Sequence, residues 1–375
     1  MDASGSRKRL QHLTTGTGPT AEIEGHGEVV VLCSNNYLGL ATHPAVLAGA
    51  EAALRRYGAG PASVRFISGT TDLHRRVEQA LAACVGTEAA LTYASCWNAN
   101  EGLIPAIAGP GDVILSDALN HASIIDACRL ARGAERTVYR HADMADLAAR
   151  LEAASGARAR IIVTDGVFSM EGDLAPLPEI LALADRHDAL VVCDDSHGLG
   201  VLGPCGRGTP EHFGLLGRID VVTGTLGKAL GGAAGGFVAA DREIIDYLVQ
   251  RSRPQLFSNA VPPAVLGGAL AALEVLEREP ERVARLHAAA AHMRQGLASL
   301  GYSVRESPSA ILPIIVGPTA KAMAQSERLL AAGVLVVGFG YPVVPEGAAR
   351  LRVQVSASHA PAHLDRALAA FAAVR

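Results

Sequence analysis

One lysine lies in a stretch of glycine and other small residues. Lys228 belongs to residues 224–232, GTLGKALGG, which follow a short apolar run. Small residues allow close backbone approach, and a lysine amine that loses its proton by desolvation can form a Schiff base with an aldehyde. The stretch is not a phosphate-binding P-loop, because Ala229 stands where that motif has Ser or Thr. A glycine-rich turn carrying a surface lysine is the alternative.

Two carboxylates and a histidine follow another apolar run. Asp194, Asp195 and His197 come directly after residues 190–193. A carboxylate about 4 Å from a protonated pyridine nitrogen contributes about 4 kcal/mol at an effective dielectric of about 20, or roughly three pKa units. Such a pair keeps a pyridinium ring charged as an electron sink. Together with Lys228, this predicts pyridoxal 5'-phosphate (PLP), although a helix cap at Asp194 and a structural His197 are alternatives.

Two further clusters suit the same ligand. Cys96 and Trp97 begin a predicted helix after a strand that ends at Tyr93, and the free amides of a helix start can bind a phosphate. His121 follows another predicted strand and offers a flat ring that could stack on a pyridine. Each cluster by itself is also compatible with a helix cap or a core histidine.

The elements that must position these residues alternate along the chain. Short apolar runs at 112–116, 161–164, 190–193, 221–223 and 236–239 predict strands, and the segments 121–131 and 177–187 predict helices. Alternating strands and helices are typical of a mainly parallel sheet covered by helices. Ligands of such α/β folds bind at the carboxyl ends of the strands, where the polar clusters lie.

The C-terminal part predicts a smaller α+β domain. Residues 262–300 predict one long helix, followed by strands at 311–316, 334–337 and 351–355 and helices at 320–332 and 361–374. We therefore expect three parts: an N-terminal segment at 1–40 that packs with the small domain, a large PLP-binding domain at 41–265, and a small C-terminal domain at 266–375.

Composition excludes several other functions. The 375 residues are 49% hydrophobic and 19% charged, with a formal net charge of -4 and no long basic run. This balance is typical of a globular protein that acts on small molecules, with no nucleic-acid or membrane partner. No apolar stretch is long enough to span a membrane, and we expect a cytoplasmic protein. The spacing of Cys and His predicts no metal site.

Beyond these features, the sequence from about Val30 to its C-terminus resembles the α-oxoamine synthases, a family of fold-type I PLP-dependent transferases, and within it the branch that acetylates glycine. The motifs that carry the resemblance are SNNYLGL (34–40), ASVRFISGT (62–70), SDALNHASIID (116–126), TDGVFSMEGD (164–173), DDSHGLG (194–200), GTLGKALGG (224–232), RSRPQLFSN (251–259) and YPVVPEGAARLRVQVSASH (341–359).

The resemblance implies roles for individual residues. The residues that it assigns to the cofactor are Cys96, Trp97, His121, Ser169, Asp194, His197, Thr225, Lys228 and Ser258, with Ser258 contributed by the partner of a homodimer. Lys228 would carry the cofactor and act as base, Asp194 would pair with the ring nitrogen, His197 and Ser169 would lie at the ring oxygen, and His121 would stack on the ring. Asn35 and Arg352 would bind the amino-acid carboxylate, Arg352 through its planar fork.

The implied reaction is a Claisen-type condensation of glycine with acetyl-CoA that gives 2-amino-3-oxobutanoate and CoA. The nearest alternative is a sister α-oxoamine synthase with another amino acid or acyl thioester, such as an 8-amino-7-oxononanoate synthase. An aminotransferase without CoA and a non-catalytic PLP-binding protein are more distant alternatives. Trp97 and Ser68 depart from the branch's usual SCFDANGG and RFICGT motifs, and the segment before Val30 is shorter, which bears on the acyl-CoA entrance.

Overall fold

A computed structural model describes residues 10–375 of the chain and divides them into two compact units. The larger unit comprises Pro44–Phe168 and Leu174–Glu279. The smaller unit comprises the described residues up to His43, the short insertion Ser169–Asp173, and Pro280–Arg375. Residues 1–9 of the predicted N-terminal segment lie outside the described residues. The predicted domain boundaries at Leu40 and Val265 stay a proposal.

The strands are β1 (Thr20–Ile23), β2 (Gly27–Val31), β3 (Ala89–Tyr93), β4 (Val113–Asp117), β5 (Glu135–Tyr139), β6 (Arg160–Asp165), β7 (Ala189–Asp194), β8 (Val221–Thr225), β9 (Gly236–Ala240), β10 (Ile311–Gly317), β11 (Val334–Leu335), β12 (Val337–Phe339) and β13 (Ala349–Gln354).

The helices are α1 (Pro44–Tyr57), α2 (Asp72–Val85), α3 (Cys96–Ile107), α4 (Ala122–Leu130), α5 (Met144–Ala153), α6 (Leu177–His187), α7 (Thr209–His212), α8 (Arg242–Arg251), α9 (Arg253–Phe257), α10 (Pro263–Arg278), α11 (Glu281–Ser299), α12 (Thr319–Ala331) and α13 (Pro361–Val374), with a π-helical turn at Arg65–Gly69.

The larger unit is built on a seven-stranded sheet in the order β3-β9-β8-β7-β6-β4-β5. All neighbouring pairs from β8 to β5 are parallel, and β9 runs antiparallel to both β3 and β8. Apolar residues of the central strands and of the covering helices form one buried cluster. The fold-type I expectation of a mainly parallel sheet covered by helices is confirmed. Strand β9 agrees with the strand predicted at 236–239, but its antiparallel direction was not predicted, and β5 is a strand that the sequence did not identify.

The register of this sheet aligns the polar strand ends. Asp165 at the end of β6 lies opposite Asp194 at the end of β7, and Asp194 lies opposite Thr223 of β8. Because parallel strands end at the same edge of a sheet, carboxylates that are far apart in sequence become neighbours there.

The smaller unit contains two three-stranded sheets, ordered β1-β2-β11 and β10-β13-β12. Strand β11 pairs in parallel with β2, so the N-terminal hairpin and the C-terminal part of the chain share a sheet. The single strand predicted at 334–337 is wrong: β11 and β12 belong to different sheets.

The single long helix predicted at 262–300 is also wrong. The chain forms α10 and α11, which are separated by Glu279 and Pro280. A proline disfavours the helical conformation at the residue before it, so α10 ends ahead of Pro280 and a new helix starts after it.

Candidate active site

Asp194 is the buried charge at the centre of the strand-end cluster. Its Oδ2 accepts a hydrogen bond of 2.8 Å from Asn100 Nδ2, and its Oδ1 accepts one of 3.0 Å from the Ser196 amide. Burial is the strongest influence and raises the pKa of Asp194, but nearby Lys228 and hydrogen bonds from the side chains of Ser196 and Asn100 lower it further than burial raises it. The net pKa lies below the ordinary value, so Asp194 is a buried carboxylate that stays ionised.

Lys228 lies just after β8, in the turn that the sequence singled out, and is partly buried. Its charge lowers the pKa of Asp194 and acts in the same direction on His121 and Cys96. The structure therefore places the lysine within electrostatic range of three predicted cofactor residues.

His121 is the N-cap residue of α4. Its Nδ1 lies 2.8 Å from Ser123 Oγ and accepts a 3.2 Å hydrogen bond from the Ser123 amide. Burial is the main cause of a lowered His121 pKa. The Trp97 ring packs edge-on to the His121 ring, with centroids 6.0 Å apart and planes at 80°. His121 is thus a neutral ring held at one nitrogen.

The start of α3 offers backbone donors. Ser95 caps the helix by accepting a hydrogen bond from the Asn98 amide, and the first-turn amides of Cys96 and Trp97 have no acceptor within the helix. A side chain at Gly236 would place Cβ 2.3 Å from Cys96 N, so only glycine allows β9 to begin this close to the helix start. The donors and the helix dipole suit an anion.

Three further predicted cofactor residues belong to this unit. Thr225 ends β8, and its hydroxyl oxygen accepts a 3.0 Å hydrogen bond from the Gly227 amide in the turn before Lys228. His197 is buried in the loop after β7. Ser258 is the C-cap residue of α9 and is partly exposed. Their predicted roles stay predictions.

Two further carboxyl groups lie beside Asp194. Burial, followed by the charge of Asp194, raises the pKa of Asp165 well above its ordinary value. Burial also raises the pKa of Asp195 to about 7, although the Thr209 hydroxyl and amide donate hydrogen bonds to it. Asp195 faces Thr209, so the adjacent Asp194 and Asp195 have different partners, and their pKa values are shifted in opposite directions.

The predicted carboxylate-binding residues lie in the smaller unit. Arg352 Nη1 donates a 3.1 Å hydrogen bond to the Ser169 carbonyl oxygen, and the guanidinium lies 4.7 Å from the centroid of the Phe339 ring. Arg352 Nε is buried and has no acceptor among the described residues. A buried guanidinium with an unused donor is suited to an anionic ligand.

Asn35 belongs to the same unit and is linked to β13. Its Oδ1 accepts a 2.7 Å hydrogen bond from Gln354 Nε2, which also donates to Tyr37 Oη at 2.7 Å. This arrangement occupies the Asn35 oxygen and leaves its amide nitrogen as the group for a ligand. The structure thus brings Asn35, Ser169 and Arg352 into one unit, as neighbours of the same strand.

The sequence did not identify several residues of the cluster. Asn100, Ser123 and Thr223 are buried polar residues that bond to one another and to Asp194 or His121. Asp165 directly follows the strand predicted at 161–164 and could have been found by the rule that found Asp194. Asn100 carried only a weak signal, a polar residue near the start of a predicted helix, because its partners come from distant parts of the chain.

Comparison with known proteins decides the family. The model of the family "Aminotransferase class I and II" matches residues 27–371. The chain belongs to this family. Among its relatives within the family is 2-amino-3-ketobutyrate coenzyme A ligase of Escherichia coli (strain K12), which is 46% identical over 98% of this chain and 93% of that protein.

Two other family members bear on the branch. The 8-amino-7-oxononanoate synthase of Symbiobacterium thermophilum is 47% identical over 100% of this chain and 95% of that protein. The structure of SPT, a serine palmitoyltransferase, with PLP internal aldimine superposes with a TM-score of 0.92 at 34% identity, covering 97% of this chain and 92% of that one. The resemblance to the α-oxoamine synthases is confirmed by these similarities.

Within residues 10–375, no group of three or more His, Cys, Asp or Glu side chains is arranged to hold a metal ion. No helix in the described part of the chain is long and apolar enough to cross a membrane.

Proposed function

We propose that this chain is a PLP-dependent acyltransferase that condenses glycine with acetyl-CoA and releases 2-amino-3-oxobutanoate and CoA, with no decarboxylation required. The observation that carries the proposal is the buried, ionised Asp194 within electrostatic range of Lys228. The similarity to 2-amino-3-ketobutyrate coenzyme A ligase supports the choice of substrates.

The residues present have the charges and hydrogen-bonding groups that PLP requires. A pyridine nitrogen requires an ionised partner, for which Asp194 is suited; a phosphate requires amide and hydroxyl donors, for which Cys96, Trp97 and Thr225 are suited. Lys228 supplies the amine for the aldehyde, and His121 supplies a flat neutral ring. His197 and Ser169 are proposed to bond the ring oxygen. When bound, PLP supplies an electron sink for a carbanion.

Lys228 and His121 are proposed to act on the substrates. Lys228 Nζ accepts the proton that leaves the glycine Cα, because an amine at a carbanion-stabilising site is a suitable general base. His121 Nε2 polarises the thioester oxygen during attack. The new bond joins the glycine Cα to the acetyl carbonyl carbon, the C–S bond breaks, and the proton held by Lys228 passes to the departing CoA thiolate.

Arg352 and Asn35 are proposed to bind the carboxylate of glycine. The unused, buried Arg352 Nε and the Asn35 amide nitrogen are both donors, and a carboxylate has acceptors only. Holding the carboxylate fixes the orientation of the amino acid, which lowers the entropic part of the barrier.

A homodimer with shared active sites is proposed from the resemblance and from an exposed apolar patch. The apolar patch consists of Phe66, Ile67 and Phe257, whose exposed fractions are 62%, 69% and 70%. The π-helical turn and α9, which carry these residues, contact each other, and Val64 pairs with Asn259. Large apolar side chains exposed together mark an interaction surface. Ser258 lies next to Phe257 and is proposed to reach the partner's phosphate site.

A second candidate is an 8-amino-7-oxononanoate synthase. The similarity to the Symbiobacterium thermophilum enzyme, which extends over the whole length of the chain, favours this second candidate. It would use the same lysine and carboxylates but a different amino acid and a longer acyl thioester. A cytoplasmic location is proposed for either enzyme.

Two measurements test the proposal. The purified protein should absorb as a yellow Schiff base, and Lys228→Ala should abolish this absorbance and the release of CoA. Glycine with acetyl-CoA should release CoA faster than alanine with pimeloyl-CoA, and the reverse order would support the second candidate. A Lys228→Ala protein that still binds PLP covalently would overturn the assignment of the lysine.

A further inference from the structure

A chain of buried hydrogen bonds joins Asp194 to His121. Asn100 Nδ2 lies 2.8 Å from Asp194 Oδ2 and 2.9 Å from Ser123 Oγ, and Ser123 Oγ lies 2.8 Å from His121 Nδ1. Thr223 Oγ1 donates to Asn100 Oδ1 at 2.9 Å. Asn100, Ser123 and Thr223 are each at most 1% exposed, so water does not compete for these bonds.

The direction of each bond follows from the inventory of donors and acceptors. An ionised carboxylate only accepts, so the Asn100 amide must turn its nitrogen toward Asp194. Its second N–H then points to Ser123 Oγ, while its oxygen accepts the hydroxyl hydrogen of Thr223. A flipped Asn100 amide would set its oxygen against the carboxylate and leave Thr223 facing an N–H group.

These bonds fix the direction in which the Ser123 hydroxyl donates its hydrogen. It already accepts the N–H of Asn100, so its own hydrogen is available for His121 Nδ1 at 2.8 Å. The Ser123 amide donates to the same Nδ1 at 3.2 Å. With two donors pointing at it, Nδ1 is an acceptor, and the proton of a neutral imidazole must be on Nε2.

We propose that Asn100 and Ser123 are positioning residues that link the charge of Asp194 to the tautomer of His121 and hold the imidazole with its proton on Nε2. The inference rests on the proposed function in one respect. A proton on Nε2 makes that atom a hydrogen-bond donor, and His121 needs such a donor for its proposed role of polarising the thioester oxygen. Neither residue touches the substrates in this role. They act through Asp194 and His121.

The tautomer is measured directly by NMR. Holoenzyme labelled with 15N-histidine, at a pH well above the ordinary histidine pKa, shows which ring nitrogen carries the proton through its 15N shifts and two-bond couplings, and His121→Gln assigns the signal. We expect the wild-type His121 to carry its proton on Nε2.

Variants test the link. Ser123→Ala and Asn100→Ala should each shift the ratio of the two tautomers toward Nδ1–H by roughly fivefold, the effect of losing one hydrogen bond of about 1 kcal/mol. Ser123→Thr keeps the hydroxyl and should keep the wild-type ratio. Ser252→Ala is the matched control, because Ser252 is a fully buried serine bonded to Tyr93 outside this network. It should also leave the ratio unchanged.

The outcomes separate this inference from the proposed function. A proton on Nδ1 in the wild type, or an unchanged ratio in both Ser123→Ala and Asn100→Ala, overturns the positioning role whether or not the enzyme is active. Another outcome is that the wild type carries the proton on Nε2, with both variants shifting the ratio toward Nδ1–H, and yet releases no CoA from glycine and acetyl-CoA. That result supports the positioning role and overturns only the proposed function. If Ser123→Ala does not fold, the comparison of Asn100→Ala with Ser123→Thr decides.

Discussion

Asp194, which ends β7, and the adjacent Asp195 are both buried, but their pKa values are shifted in opposite directions. The charge of Lys228 and two hydrogen-bond donors hold the pKa of Asp194 below its ordinary value, against the effect of burial. Asp195 has no such cation among its main influences, and burial raises its pKa to about 7. Burial alone therefore does not determine the direction in which the pKa of a carboxyl group shifts. Neighbouring charges and hydrogen-bond donors determine it as well.

Asp194→Asn should slow CoA release by about a thousandfold. The asparagine cannot carry the negative charge, and an ion pair at about 4 Å contributes about 4 kcal/mol at an effective dielectric of about 20, where each 1.36 kcal/mol corresponds to about tenfold in rate. The measurement is kcat/KM with glycine and acetyl-CoA. Asp112→Asn, which removes the buried carboxylate that pairs with the exposed Arg158 away from the cluster, should lower the melting temperature but leave the rate unchanged. Wild-type turnover by Asp194→Asn would exclude the proposed role.

Asp195 should make stability depend on pH. Between the ordinary carboxyl pKa and about 7, the folded chain holds a proton on Asp195 that the unfolded chain has released. The contribution of this proton to the free energy of unfolding is greatest at pH values below the ordinary carboxyl pKa. It falls as the pH rises from that value toward 7 and is lost above about 7. Three pKa units correspond to at most about 4 kcal/mol.

Asp195→Asn tests this dependence, because asparagine stays neutral and the Thr209 hydroxyl can rotate to accept its N–H. Melting temperatures of the wild type and the variant are compared at about pH 5 and about pH 8. The variant should gain on the wild type at the higher pH. A constant difference between the two proteins would show that Asp195 does not titrate in this range.

At the scale of elements, glycines determine how closely α1 and α10 pack. A Cβ at Gly267 would lie 2.4 Å from the Gly49 carbonyl oxygen and 2.6 Å from Ala53 Cβ. A Cβ at the neighbouring Gly268 would meet nothing nearer than Val46 Cγ1 at 3.6 Å. The two adjacent glycines thus have different roles: Gly267 is required by the contact and Gly268 is not.

Gly267→Ala and Gly268→Ala should change stability in opposite directions. The first forces two helix backbones apart, at a cost of about 1–3 kcal/mol. The second replaces a helical glycine without a clash and should stabilise by about 0.5–1 kcal/mol. Melting temperatures of both holoenzymes check this. Equal effects would contradict the close crossing of the two helices.

At the scale of the whole molecule, the predicted residues are divided between two units. Lys228, Asp194 and His121 belong to the larger unit, while Asn35 and Arg352 belong to the smaller one. The short insertion Ser169–Asp173 leaves the chain of the larger unit and packs with the smaller one, where Arg352 bonds Ser169 and Arg350 forms a buried ion pair with Glu171.

The apolar patch should hold two copies of the chain together. Phe257→Asp places a charge at its most exposed residue, and we expect the mass in solution, measured by light scattering, to fall from that of a dimer toward that of a monomer. Desolvating an unpaired charge at an interface is costly. Val138→Asp, at an exposed position on the edge strand β5, should leave the mass unchanged. A dimeric Phe257→Asp protein would place the interface elsewhere.

The sequence by itself determined the type of fold and singled out the candidate site residues. Apolar β-branched runs with polar ends predicted the parallel strands β4, β6, β7 and β8 but not β5, and the helix at Leu177–His187 was predicted with the bounds that the structure has. Lys228 and Asp194 stood out because each lies in a local pattern, a glycine-rich turn or a strand end, that favours one kind of chemistry. Local conformation and burial pattern are properties of neighbouring residues, so the sequence contains them.

Only the tertiary structure decided which buried groups meet. The break at Pro280 was visible in the sequence, but the antiparallel pairing of β9 and the division of residues 334–337 between two sheets depend on partners from other parts of the chain. The same holds for Asn100, which lies 94 residues from Asp194 and 23 from Ser123 along the sequence. Hydrogen bonds and pKa shifts depend on distances between atoms, and for residues so far apart in sequence the fold alone sets those distances.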